Sequence, residues 1–265
     1  MMAEALPPTN AGLRAVLIAV FGFLYIPIAV VVALSFNEAG LPTVWSGFSL
    51  KWYGELAENT DVLSAARNTA VVALSSTGLA TGLGTLLALG VETRRHRGGA
   101  LEALIFAPMI IPDIVLAISL LSFFSLLGLS MGLHTIIVSH VVFNLAFVCS
   151  VVRARLRSFD WAIVEASADL GASGLTTFRR VTLPVILPAV IAGALLAFTL
   201  SIDEFIIAFF TSGAGSASTT LPMQIFAMIR FGVTPEINAL ATLVMTVSVT
   251  ALVIAQRLNR GVPGA

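Results

Sequence analysis

Apolar residues do not alternate along this chain. They run on for twenty or more positions, and the polar residues gather in short segments between the runs. A helix needs about 20 mostly apolar residues to cross a bilayer, and windows of that kind fall near 13–36, 65–91, 101–127, 134–152, 187–210 and 237–257. Backbone in hydrocarbon must hydrogen-bond to itself, so continuous runs predict helices; the alternation of a membrane barrel is missing. The pattern predicts an all-α, polytopic membrane protein with six transmembrane helices, organised as one domain over residues 1–265. The first run, Ala15 to Ser35, is longer than the roughly 7–15 residues of a signal-peptide core, and only one cation, Arg14, precedes it. It is read as a retained span.

The segments between the runs set the orientation. With the N-terminus in the cytoplasm, the inner segments hold Arg14, Arg94, Arg95, Arg97, Arg153, Arg155, Arg157, Arg179, Arg180, Arg257 and Arg260, which are eleven of the fourteen Lys and Arg. Lys51, Arg67 and Arg230 remain outside. Positive charge is retained on the cytoplasmic face, so both termini and the polar loop 158–186 are expected there, in a multi-pass protein of the bacterial inner membrane. Residues 37–64 form an outer loop with Trp45, Trp52 and Tyr53, read as an interfacial aromatic belt rather than an amine cage. Residues 211–236 form a second, amphipathic from Leu221 to Phe231.

Composition narrows the function classes. Charged residues make up 11% of the chain, 58% is hydrophobic, and mean hydropathy is +1.00; soluble domains carry about 25% charged residues. Net charge is zero, which gives no reason to expect nucleic acid. Cys149 is the only cysteine, and His96, His134 and His140 lack metal-ligand spacing, so neither a disulfide framework nor a metal site is expected. There is no G-x-x-x-x-G-K-[ST] phosphate loop, and the only lysine, Lys51, lies in an outer loop. No cofactor is expected in this chain, and any ATP hydrolysis has to come from another subunit.

The loop 158–186 carries the most specific pattern. Glu165-Ala166-Ser167 is followed after three residues by Gly171, and nine residues later by Val181-Thr182-Leu183-Pro184. Asp160 is placed to cap a helix beginning at Trp161, and Gly171 to end it in a left-handed cap. A second short helix is expected from Thr176 to Leu183, running into Pro184 at the opening of the fifth span. This spacing resembles the EAA loop of the inner-membrane permease subunits of ABC importers, with Ser167 and Val181 as conservative departures. The resemblance implies a type I ABC importer permease fold whose cytoplasmic coupling helix docks on an ATP-hydrolysing subunit. By that likeness Glu165, Ala166, Ser167, Asp169, Leu170, Gly171, Ala172, Leu183 and Pro184 belong to the ATPase-coupling loop. An ordinary interfacial helix, with Trp161, Val164 and Ala168 toward lipid, is the plainer alternative.

Three carboxylates fall inside predicted spans: Asp113 in the third, Asp203 and Glu204 in the fifth. Each costs about 2.5–3.5 kcal/mol at a helix centre, on the order of 8–10 kcal/mol together, unless a cavity or a cation meets it. A cationic substrate or pairing with Arg67, Arg230 or a partner's arginine would supply that compensation; Asp113, after Pro112, would also serve as a cap for a broken helix. Consecutive helical residues point about 100° apart, so Asp203 and Glu204 do not both face one narrow path. Thr199 and Ser201 sit within one turn and are candidate partners for an acid. Phe205 and Phe209 flank the acids as walls for a carbon chain, with lipid contact or packing as the plainer role. Gly78-x-x-x-Gly82 in the second span allows close helix approach, within the chain or against a partner.

A wider likeness then appears. Lys51-Trp52-Tyr53, Pro112-Asp113-Ile114-Val115, Ser139-His140, the turn from Asp169 to Ser173, Ser201–Phe205, Thr219-Thr220-Leu221-Pro222 and the segment 232–242 occur in order. Together they are similar to the permeases of spermidine/putrescine ABC importers, and to the second of that pair or its putrescine-system counterpart. The resemblance implies inward polyamine transport by alternating access through Asp203, Glu204, Asp113, Phe205 and Phe209. It also implies a homologous second permease, two ATP-binding cassette subunits carrying ATP and Mg, and a periplasmic or lipid-anchored binding protein. Relatives in the wider superfamily carry iron or phosphonates, and a proton-coupled secondary transporter using the acids is the alternative from another class.

Overall fold

The computed structural model describes residues 11–40, 44–93, 99–230, 232 and 234–260, the side chains of 101 and 251–260 excepted. Arg94, Arg95, Arg97, His96, Phe231 and the side chains of Arg257 and Arg260 therefore lie outside the described residues. The described chain is helical, with an isolated antiparallel bridge between Asn37 and Phe48. It falls into two compact units, residues 1–59 with 228–249 and residues 60–227 with 250–265.

The first unit holds α1 (Ala11–Leu34), α2 (Lys51–Glu58) and the first part of α12 (Pro235–Arg260). The turn after α1 is organised by the fully buried Asn37. Its amide donates to the Val44 carbonyl (2.8 Å), its oxygen accepts from the Ser46 N–H (3.0 Å), and its carbonyl accepts from Trp52 Nε1 (2.7 Å). Tyr53 shares a 2.7 Å hydrogen bond with Ser35. Of the three aromatic residues expected as a belt, Trp52 and Tyr53 have their polar tips held inside the loop, and Trp45 is exposed.

The second unit contains α3 (Thr60–Thr93), α4 (Gly99–Ile110), α5 (Asp113–Leu126), α6 (Leu133–Leu156), α7 (Ala162–Asp169), α8 (Gly174–Thr177), α9 (Leu183–Asp203) and α10 (Ile206–Thr211), and the first residues of α11 (Leu221–Ile229). Its core is α3, α6 and α9, packed on one another through Ala80, Ala88, Val148, Val152, Ile186 and Ala197. Apolar tails are no driving force for helix association in lipid, and small residues let backbones approach. Gly84 is the point of closest approach: a Cβ there would stand 2.8 Å from Val148 Cβ, whereas at Gly78 and Gly82 it would meet nothing within 4 Å. The Gly78–Gly82 face is therefore left uncovered by the described residues.

Two runs that read as single spans are broken. Residues 101–127 divide at Ile111-Pro112, with a bend of 113° between Glu102–Ile110 and α5. Pro112 has no N–H to donate and disfavours helical geometry at Ile111, and its carbonyl then accepts the Val115 and Leu116 amides of the new helix. The run 187–210 stops at Asp203; Glu204 is extended (φ −71°, ψ 114°), and α10 begins two residues later. Helix also begins earlier than expected. From Gly174 it passes through a π turn at Phe178–Thr182 into α9 without stopping at Pro184. The wider turn accommodates a proline, which cannot donate to the carbonyl one turn back. Among the described residues four helices are long and apolar enough to cross a membrane, or five if the bent pair counts as one. The sixth predicted span lies on α12, part of whose side chains are outside the description.

Candidate functional site

Two constructions stand out, one on the polar loop after α6 and one at the helix breaks. In the loop, Asp160 Oδ1 accepts the Ala162 N–H at 3.0 Å, so α7 starts one residue later than expected under the predicted cap. Gly171 has φ +80°. Its N–H reaches the Ala168 carbonyl (2.8 Å) and the Ala172 N–H reaches Ser167 (3.1 Å), closing the helix in a left-handed cap. Ser173 caps α8 through the Thr176 N–H, and Ser167 and Thr177 hydroxyls join α7 to α8 at 2.9 Å.

The loop's apolar residues divide between two directions. Phe159, Trp161, Val164 and Leu183 pack on the lower end of the α3–α6–α9 core, with Phe159 and Trp161 edge to face at 5.1 Å. Trp161 and Val164 thus face protein rather than lipid. Leu170 is 89% exposed, Leu175 and Ile163 are exposed, and Glu165, Ala166, Asp169 and Gly171 share the open surface. Leu175 was not singled out by the sequence; a large apolar residue beside two glycines in a polar loop was the signal available.

At the same end of the unit, Arg153 Nη2 meets Glu102 Oε1 at 2.6 Å and its Nε meets Glu92 Oε2 at 3.4 Å, over the ring of Phe106. An arginine counted only for orientation thus ties α6 to α3 and α4. Beside it a cavity of about 470 Å³ is lined by Phe106, Met109, Ile110, Ser150 and Arg157.

The helix breaks bring two of the predicted acids together. Asp113 opens α5, and Glu204 Oε1 accepts the Ile207 N–H at 2.6 Å, capping α10. α5 and α10 pack through Ala117 and Ile207, with Phe143 of α6. Asp203 ends α9 and is exposed. Phe205 lies 5.5 Å from Phe209 and 4.8 Å from Phe226, ring centre to ring centre. Neither Asp203 nor Glu204 forms an ion pair with Arg67 or Arg230 among the described residues. The hydroxyls expected to help the acids are engaged elsewhere: Thr199 donates to the Leu195 carbonyl, and Ser201 bonds His140 Nδ1 (2.7 Å) and Ser76 (3.0 Å). The sequence reading used His140 only as part of the Ser139-His140 likeness and gave its side chain no role. A buried imidazole on an apolar helix has no local signature.

Comparison with known proteins places the chain. Residues 80–262 match the family described as binding-protein-dependent transport system inner membrane component. The chain belongs to this family and is a permease, the transport component of an ABC importer. It is 40% identical over 248 residues to the spermidine/putrescine transport system permease protein PotC of Haemophilus influenzae, covering 93% of this chain and 96% of that one. With the putrescine transport system permease protein PotI of Escherichia coli K12 it shares 43% identity over 249 residues, covering 91% and 88%. Among solved structures, a bacterial ABC transporter involved in import of the acidic polysaccharide alginate superposes with a TM-score of 0.78. It covers 96% of this chain and 95% of that one at 17% identity, which speaks for the fold alone.

Proposed function

We propose that this chain carries polyamines inward, as one of two homologous permeases acting as a single translocation domain each, with six spans and both termini in the cytoplasm. A periplasmic or lipid-anchored protein delivers the substrate. Two cassette subunits bind and hydrolyse ATP with Mg, and act on this chain through α7 and its exposed leucines. The observation that carries the cargo assignment is the pair of helix breaks marked by Asp113 and Glu204, with Phe205 after Glu204 packed on Phe209 and Phe226. Unwound segments at mid-membrane are where transporters build substrate sites. Carboxylates suit ammonium groups, and aromatic faces suit both the cation and the methylenes between amines. The names of the relatives point the same way, and Asp203, exposed at the tip of α9, adds a third negative charge. An anionic cargo like that of the alginate importer would gain nothing from these groups.

The test is ATP-dependent uptake of labelled putrescine and spermidine by the complex reconstituted with its companion subunits. Saturable uptake, competed by unlabelled diamines and not by acidic saccharides, is expected. ATP-coupled transport that ignores every polyamine would remove the cargo assignment and leave the machine. Uptake that survives ATP depletion and collapses with a proton uncoupler would remove both.

A further inference from the structure

A chain of hydrogen bonds runs through the interior immediately below the α9 break. Ser76 donates to the Ala73 carbonyl of its own helix (3.3 Å), so its oxygen is left to accept from Ser201 on α9 (3.0 Å). With its proton directed to Ser76, Ser201 accepts from His140 Nδ1 on α6 (2.7 Å). With the Ser76 proton on the Ala73 carbonyl, the order runs from His140 to Ser201 to Ser76 to Ala73 and uses a neutral imidazole protonated on Nδ1; the opposite order would put the proton on Nε2. All three side chains are buried, at 1%, 3% and 0% exposure, and His140 Nε2 and both amide atoms of Asn144, one turn below, have no hydrogen-bond partner among the described residues. Packing does not explain a histidine here, since a residue of similar size without polar atoms would leave nothing unpartnered.

We propose that His140 is a positioning residue for transport. Its Nδ1–H holds the last turn of α9 against α3 and α6, and through that turn fixes Asp203 and Glu204, two and three residues beyond Ser201. The inference rests on the reading of those acids as part of the substrate path. Glu204 adopts its extended conformation with no proline to impose it, so the break needs an anchor on its α9 side; Ile207 supplies one only on the α10 side.

The geometry separates two near-isosteric replacements. An asparagine amide nitrogen falls where Nδ1 stands and keeps the donor to Ser201. A glutamine amide falls where Nε2 stands and does not. The experiment reconstitutes the whole importer in lipid with His140→Asn, His140→Gln and His140→Leu, and reads solute imported per ATP hydrolysed, with the ATPase rate stimulated by loaded binding protein as the internal control. His140→Asn is expected to keep the wild-type ratio. His140→Gln and His140→Leu are expected to lower it about tenfold, as loss of one buried hydrogen bond at a positioning contact implies, while stimulated ATPase persists. A merely structural role would lower ATPase and uptake together. If glutamine matches asparagine, or leucine keeps the wild-type ratio, the proposal is overturned. Asp203→Asn in the same preparation separates the two ideas. With Glu204→Gln added to it, normal transport defeats the substrate-path reading whatever His140 does, whereas impaired transport beside a normal His140→Leu defeats only the anchor. Nitrogen-15 labelling of histidine gives a second readout: the resonance lost in His140→Asn is expected to be protonated at Nδ1, and protonation at Nε2 would reverse the chain and contradict it.

Discussion

The loop around α7 and the break between α9 and α10 are both places where a helix ends early, and they end for opposite reasons. At α7 every terminus is closed by a residue suited to water: Asp160 and Ser173 at N-termini, Gly171 at a C-terminus. The closed loop is tied across by Ser167 and Thr177 and rests on Phe159 and Trp161. It is a stiff projection that presents Leu170 and Leu175 outward. At the break the cap is Glu204, a carboxylate next to apolar residues, with Asp113 at the start of the helix that packs on α10. On the proposed reading the first end transmits a push and the second holds charges that a cation would stabilise, with the core of α3, α6 and α9 between them.

Four substitutions sharpen this contrast. Gly171→Leu is expected to have the largest effect. A leucine at φ +80° costs about 1–2 kcal/mol, small against the fold, but it disturbs the tip proposed to meet the ATPase. ATP-driven uptake is expected to fall to background while the chain still inserts, as membrane fractionation and a transport assay would show; near-normal uptake would make the loop an ordinary surface turn. The pair Asp203→Asn with Glu204→Gln comes next. Glutamine keeps an oxygen for the Ile207 N–H, so the break survives and only charge is lost. Polycation uptake is expected to drop by more than tenfold with stimulated ATPase retained, and unchanged uptake would make both acids structural. Gly84→Ala places a methyl 2.8 Å from Val148 and is expected to destabilise the core by about 1–3 kcal/mol. Thermal unfolding in detergent reads it, and Val148→Ala is expected not to restore the loss, because the 2.8 Å contact is with a Cβ that alanine keeps; the same change at Gly78 or Gly82 is expected to be silent in the isolated chain. Ser167→Ala removes a half-exposed tie and is expected to cost less than about 1 kcal/mol, with coupling retained; full uncoupling would show that the loop's stiffness depends on this one bond.

How much was legible follows from the same contrast. The caps of α7 are local chemistry, so Asp160 and Gly171 could be assigned within a residue from spacing alone. The long helices α1, α3 and α6 were equally plain, because apolar length decides them. The two breaks were hidden for a shared reason. In a charge-poor run of about 25 residues, hydropathy is insensitive to where the backbone turns, and Pro112 and Glu204 each read as a blemish inside a span. The sequence reading did flag Asp113 as a cap of a broken helix, and the 113° bend at that point is its counterpart. What no local pattern carried was tertiary: that Arg153 is clasped by Glu92 and Glu102, that Gly84 rather than Gly78 or Gly82 is the close contact, and that Ser201 belongs to His140 and not to its acidic neighbours.

The central claim is that force enters at α7, and a site-specific cross-link tests it most directly. Cys149 is buried, so a cysteine placed at Leu170 would be the accessible thiol among the described residues, with Leu126→Cys, exposed at the far end of α5, as control. In a complex that retains uptake, Leu170→Cys is expected to cross-link to the cassette subunit with a yield that changes between nucleotide-free and ATP-bound states, and Leu126→Cys is expected not to. No cross-link at Leu170 in a transport-competent complex, or one at Leu126 of equal yield, would contradict the account.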